Sequence, residues 1–106
     1  MIMIITTTNE IPGSPPYTIL GMVEGSVVFS RHLGKDILAA LKSLIGGELK
    51  GYTQLLEESR KRAMQRMIAQ AQAMEADAIL CVRYSTSSIM ATSSEVLCYG
   101  TAVSFR

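Results

Sequence analysis

The chain has 106 residues, 48% of them apolar and 18% charged, with ten basic and nine acidic side chains giving a net charge of +1. That is the length of one domain, and so even a balance exerts no strong pull on nucleic acid, anionic lipid or acidic substrates. One histidine, two cysteines and no tryptophan argue against a metal cage or base-stacking platform built from a single copy, and a charge content below the roughly 25% usual for soluble domains points to surface buried between copies.

Met1-Ile2-Met3-Ile4-Ile5 is apolar but short, and Thr6-Thr7-Thr8-Asn9-Glu10 follows it with no basic segment ahead, so it reads as an N-terminal strand rather than a leader. No later stretch approaches the ~18 uninterrupted apolar residues that a bilayer span needs, so a soluble, cytoplasmic protein with no membrane partner is expected. Residues 11–16 hold all three prolines and break the chain. Residues 17–29 return to strand, with Tyr17, Ile19, Leu20, Met22, Val23, Val27, Val28 and Phe29, and Gly21 and Gly25 mark a bulge or bend within it.

Ser30 is placed to cap a helix beginning near Arg31. From residue 33 to 45 the apolar period becomes helical, with Ile37, Leu38, Leu41, Leu44 and Ile45 on one stripe. Gly46-Gly47 stops that helix and Gly51 closes the connector. A longer helix is predicted over 52–74, with Tyr52, Leu56, Ala63, Met67, Ala71 and Met74 on one face and Leu55, Met64 and Ile68 widening it. The pairs Glu57/Lys61 and Glu58/Arg62 lie four apart on its solvated side. Beyond Asp77 the strand period returns in residues 78–84 and again in 95–105, with a polar Ser/Thr-rich hairpin tip between them that exposes Ile89 and Met90. The fold class is therefore α+β: an antiparallel sheet backed by two helices in β-β-α-α-β-β order, one domain over residues 1–106.

Few residues in this pattern carry chemistry. The connector from Gly46 to Gly51 lacks the spacing of a phosphate-binding loop and reads as a helix–helix turn. His32 and Asp36 are four apart on the first helix, two donors that need symmetry copies to complete a metal site. Arg60, Lys61, Arg62 and Arg66 are interleaved with no aromatic side chain and partly neutralised by Glu57 and Glu58, so they read as a solvated face with no nucleic-acid partner. Cys81 and Cys98 have no CxxC spacing and read as reduced thiols in strands. In a hairpin with a symmetric loop, facing residue numbers sum to about 181, placing Cys81 opposite Gly100, Cys98 opposite Arg83, and both thiols on one face. Adjacent thiols suit a soft metal or reversible oxidation. No nucleophile–base or paired-carboxylate spacing marks an enzyme, and no cofactor motif is present.

Taken together and in order, Gly25, Ser30 to Asp36, the helix to Gly46-Gly47, Gly51-Tyr52, Arg60, Ala63, the Met74-Glu75-Ala76-Asp77-Ala78 junction and the terminal Gly100-Thr101-Ala102-Val103 resemble the YbjQ family of small bacterial proteins, which carries a heavy-metal-binding label. The resemblance spans nearly the whole chain. It implies a dodecin-subunit-like α+β unit assembled as a ring, a homopentamer or two stacked rings, with short extra strands joining subunits. It implies no established activity. The chain departs from the family at Ser30 and His32, where glycine and asparagine are usual, and at Glu75 and Cys81, where glycine is usual. Glu75 thus removes the expected helix C-terminal glycine, and a tighter or rearranged turn is expected there.

The leading functional reading is a homo-oligomeric binding or structural module, with Ile2, Ile4, Ile89, Met90 and the strand flanking Gly21 and Gly25 as interface residues. The alternative is a soft-metal or thiol redox protein that uses Cys81, Cys98 and His32 near subunit boundaries.

Overall fold

A computed structural model of the chain describes residues 2–30, 50–90 and 93–106. In chain order the elements are β1 (Ile4–Ile5), β2 (Thr18–Ser30), α1 (Lys50–Ala73), β3 (Ala78–Met90) and β4 (Ser93–Ser104). The strands form one sheet in the order β1-β3-β4-β2. β4 lies between β2 and β3 and runs antiparallel to both, whereas β1 runs parallel to β3. The sheet is therefore mixed, not purely antiparallel, because the short N-terminal strand joins beside β3 rather than folding back on β2. The expected helix over 33–45, with its Ser30–Arg31 cap and the Gly46-Gly47 stop, lies outside the described residues. The β-β-α-α-β-β order is accordingly described for its strands and its longer helix.

Strand and helix follow from the spacing of apolar positions. β4 alternates buried and half-buried residues from Ser93 to Ala102, and its buried set of Val96, Cys98, Gly100 and Ala102 faces α1. Across the ladder, Val23, Gly25, Val27 and Phe29 of β2 stand opposite Gly100, Cys98, Val96 and Ser94, and so share that face. α1 presents Ser59, Ala63, Met67 and Ala71 to them, four apart and buried. Leu55, Leu56, Met64 and Ile68 flank this stripe as expected, while Met74 is 41% exposed. Lys50 and Gly51 are already helical, so Gly51 belongs to the helix instead of closing the connector. Small side chains along the stripe let the helix sit low. At Gly25 an added Cβ would lie 2.3 Å from the Ala63 carbonyl oxygen and 2.4 Å from the Met67 nitrogen.

The two glycines of β2 thus have different roles. At Gly21 the register shifts and φ is 140°, so the bulge predicted there is present. At Gly25 the ladder is unbroken, and the glycine serves close approach of helix to strand. A second core lies on the opposite face, where Ala78, Leu80 and Val103 are covered by Ile11, Tyr17 and Phe105.

At the end of α1 the turn keeps its glycine geometry without a glycine. Glu75 takes φ 60°, its N–H donates to Gln72 C=O at 3.0 Å, and Ala76 N–H donates to Ala71 C=O at 3.1 Å. This is the paired bonding of a Schellman cap, built on a residue that favours the left-handed region poorly. The expected rearrangement therefore does not occur; the strain is kept instead.

The expected polar hairpin tip is also different. β3 and β4 pair out to Met90 and Ser93, and β2 pairs with β4 out to Ser30 and Ser93, so the Ser/Thr-rich run forms the end of a sheet arm rather than a loop. Ile89 and Met90 are 50% and 63% exposed on it.

Gly25→Ala is expected to destabilise the protein by about 3 kcal/mol or more, because the added methyl meets backbone that cannot move independently of the helix. Glu75→Gly is expected to stabilise it by roughly 0.5–1 kcal/mol through relief of the left-handed backbone. Chemical denaturation of both variants measures these shifts.

Candidate functional site

The two thiols, the phenol of Tyr84 and the buried carboxylate of Asp77 are groups with reactive or ligating capacity that the strands position. The β3–β4 register decides how the thiols relate. Ala78, Ile79 and Leu80 face Val103, Ala102 and Thr101, a constant sum, as a symmetric hairpin predicts. The register then shifts between Leu80 and Arg83, so Arg83 faces Tyr99 and Tyr84 faces Cys98. The expected pairings of Cys81 with Gly100 and of Cys98 with Arg83 are both replaced. Cys81 is the left-handed residue of this bulge, at φ 56°, a conformation that favours glycine.

One extra residue in β3 reverses the direction of its side chain relative to the simple ladder. Cys98 packs with Val96 and Ala102 beneath α1, whereas Cys81 packs with Leu80 and Val103 on the other face. The thiols of one chain are thus separated by the sheet and do not share a site.

Their surroundings differ as well. The Cys98 thiol is fully buried and donates to the Met67 thioether sulfur at 3.7 Å. Burial raises its pKa above the ordinary value of 9.0, and a hydrogen bond from the Tyr84 hydroxyl acts weakly in the other direction. Tyr84 is raised above 10.0, first by burial and then by the neighbouring Cys98, while Arg60 opposes the shift. Cys98 is therefore a neutral thiol near pH 7, neither a ready nucleophile nor a preformed thiolate ligand. Cys81 is half-buried, its thiol donating to Asn9 Oδ1 at 3.3 Å and its N–H to Thr8 C=O at 3.0 Å.

Asp77, in the Ala-Asp-Ala stretch, has a positional role. Its Oδ2 accepts from Phe105 N–H at 2.7 Å and from the Ser104 hydroxyl at 3.3 Å, and its own N–H donates to Val103 C=O at 2.8 Å. The carboxylate fastens the C-terminal end of β4 to the start of β3. Two members of the supposedly solvated face of α1 also do more than expected: Arg66 donates to Ser26 C=O, and Arg60 lies near Tyr84. Gln70, with no charge to draw attention, accepts from Glu24 N–H at 2.7 Å. A cleft of about 360 Å³ opens between the end of β2 and the first half of α1, walled by Val27, Phe29 and Leu55 and edged by Glu58, Ser59 and Arg62.

His32 lies outside the described residues, as does Asp36. Among the described residues no three His, Cys, Asp or Glu side chains converge as metal ligands. The two candidate sulfur ligands occupy opposite faces, so the described donors of one chain do not fit a heavy-metal cage. Also among the described residues, no helix is long and apolar enough to cross a membrane.

Comparison with known proteins gives the family context. A family model for YbjQ, described as "Putative heavy-metal-binding", matches residues 3–106. A UPF0145 protein of Thermotoga petrophila is 56% identical over 101 residues, covering 95% of each chain. One from Vibrio parahaemolyticus is 52% identical over 101 residues, covering 95% of this chain and 96% of its own. Among solved structures, a protein of unknown function from Pediococcus pentosaceus, assigned to the DUF74 family, matches with a TM-score of 0.64 at 24% identity, covering 96% of both chains. That structure supports the fold.

Alkylation of the native protein near pH 7 is expected to modify Cys81 well before Cys98, and both after unfolding; mass spectrometry of the labelled peptides reads this. Because the folded Cys98 holds its proton above the unfolded value, its contribution to stability should be fully present below about pH 9 and be lost as pH rises beyond it. Denaturation of Cys98→Ala against pH should show a shallower alkaline decline.

Proposed function

The chain belongs to the YbjQ family, and from that membership we propose that it acts as a self-assembling binding or structural module, a homopentameric ring or a stacked pair of rings whose ligand surfaces lie between copies. The observation that carries this reading is the distal half of β3. Among the described residues, no strand pairs along the outer side of Arg83–Ser87: β1 pairs with Ala78 and Ile79, and the backbone bonds of Thr6 and Thr8 beyond it reach no further than Val82. Tyr84, Ile89 and Met90 on that arm are 46%, 50% and 63% exposed. A long strand edge with apolar side chains favours contact with another chain. The sheet face turned away from α1 adds exposed Met22 and Val28.

Soft-metal binding is the second reading. It draws on the family description and on the partial exposure of Cys81 beside the Asn9 side chain. A metal held there would need donors beyond the described residues of one chain, and a neighbouring copy is the source this reading favours.

Size-exclusion chromatography with light scattering should give a discrete mass several times 11.5 kDa; a clean monomer would sink the assembly reading. Met90→Asp and Thr86→Pro should weaken association roughly tenfold or more, the first by burying charge and the second by removing a strand-edge donor. Full assembly of both variants at low concentration would rule out the β3 arm as an interface. Silver(I) titration of wild type against Cys81→Ser tests the second reading, and equal stoichiometry would end it.

A further inference from the structure

The two long edges of the sheet are treated differently. β2 is an edge strand of 13 residues, and Ile19, Met22 and Val28 on it are 67%, 68% and 56% exposed. A strand of that length, with exposed apolar side chains and Glu24 as its one charge, is a template for pairing with another chain. Among the described residues no strand lies beyond it. Two side chains from α1 reach over it instead. Gln70 Oε1 takes the Glu24 N–H at 2.7 Å, and Arg66 donates to the Ser26 C=O.

These two backbone groups belong to residues whose polar atoms point away from β4. In an antiparallel ladder, alternate residues direct both N–H and C=O outward, and Glu24 and Ser26 are two apart. They are also the groups an added strand would use first, at the middle of the edge. Arg66 and Gln70 are four apart on one side of α1, so a single helical turn reaches both. The low seat of the helix on Gly25, the residue between them, brings that turn within reach. The Gly21 bulge breaks the regular edge a few residues before.

We infer that Arg66 and Gln70 form an edge guard: they occupy the outward hydrogen-bonding groups of Glu24 and Ser26 and so prevent a second copy of this chain from adding its strand to β2. The guard limits growth of the sheet at this edge whether the protein is a monomer or a ring, so it does not rest on the assembly reading above. Loss of the guard exposes a 13-residue edge to non-closing, head-to-tail strand addition.

The test is the double variant Arg66→Met/Gln70→Met, which keeps side-chain bulk but removes the polar atoms. Lys61→Met, on the exposed side of the same helix, controls for lost charge. Sedimentation velocity over a wide concentration range should show the double variant shifting to a weight-average mass at least about twofold above wild type and rising with concentration. Lys61→Met should match wild type. A folded double variant with the wild-type mass distribution at every concentration overturns the inference. Should the double variant fail to fold, amide hydrogen exchange on Gln70→Met and Gln70→Glu decides. The Glu24 amide should exchange roughly tenfold faster in Gln70→Met and return toward the wild-type rate in Gln70→Glu, which keeps an acceptor. Unchanged Glu24 exchange in Gln70→Met overturns the guard equally.

Discussion

Where α1 crosses β2 at Gly25, helix backbone rests on strand backbone, with the Ala63 carbonyl oxygen and Met67 nitrogen in the space a side chain would fill. Much of the molecule follows from that contact. It sets the height of the helix over the sheet, so small Ser59, Ala63 and Ala71 are accommodated and Met67 reaches down to the Cys98 thiol. It fixes the position of the helix over β2 and β4. It also brings Arg66 and Gln70 to the rim of β2. A side chain at position 25 would raise the helix, and the polar contacts to Glu24 and Ser26 would lengthen with the loss of packing.

The bulge at Cys81 is the second organising feature, and it acts on chemistry rather than packing. A regular hairpin would have turned Cys81 and Cys98 to the same face, where a soft ion or a disulfide becomes conceivable. One inserted residue sends Cys81 to the opposite cluster and seats Tyr84 over Cys98. The thiol left under the helix is then neutral because its surroundings are apolar. The thiol on the other side is held by Asn9 from the N-terminal segment, which also fastens the bulge through Thr8. The family's heavy-metal description therefore finds no support in the described donors of a single chain.

The apolar periods in residues 17–29, 52–74, 78–84 and 95–105 match the elements found, because alternation and the four-residue stripe record directly which side of each element is buried. Pairing partners are less legible. Nothing in Ile4-Ile5 shows that it joins β3 in parallel, since a two-residue strand carries no directional pattern. The run of serines and threonines suggested a loop by composition, yet cross-strand pairs such as Ser87 with Glu95 and Thr86 with Val96 continue the ladder through it. The bulge is illegible for a related reason: counting facing residues assumes an unbroken ladder, and a left-handed backbone built on cysteine rather than glycine leaves no marker in the sequence. Arg66 and Gln70 look like solvent-facing helix residues from spacing alone. Their role depends on which strand forms the edge beneath them, a fact of topology that one-dimensional periodicity does not contain.

The low charge content acquires a structural meaning from the two edges. Edge strands are commonly kept from pairing by charged side chains along them. Here Thr18–Ser30 carries a single charge, and Tyr84–Met90 carries none. β2 can do without charges of its own because the helix above it supplies polar groups to its backbone. α1 packs on β2 and β4, and the exposed arm of β3 ends in isoleucine and methionine rather than lysine or glutamate. A sequence that closes one edge with helix side chains while leaving the other both uncharged and apolar does not treat its edges as equivalent hazards. The asymmetry is what a chain that joins others through β3, and not through the middle of β2, would require.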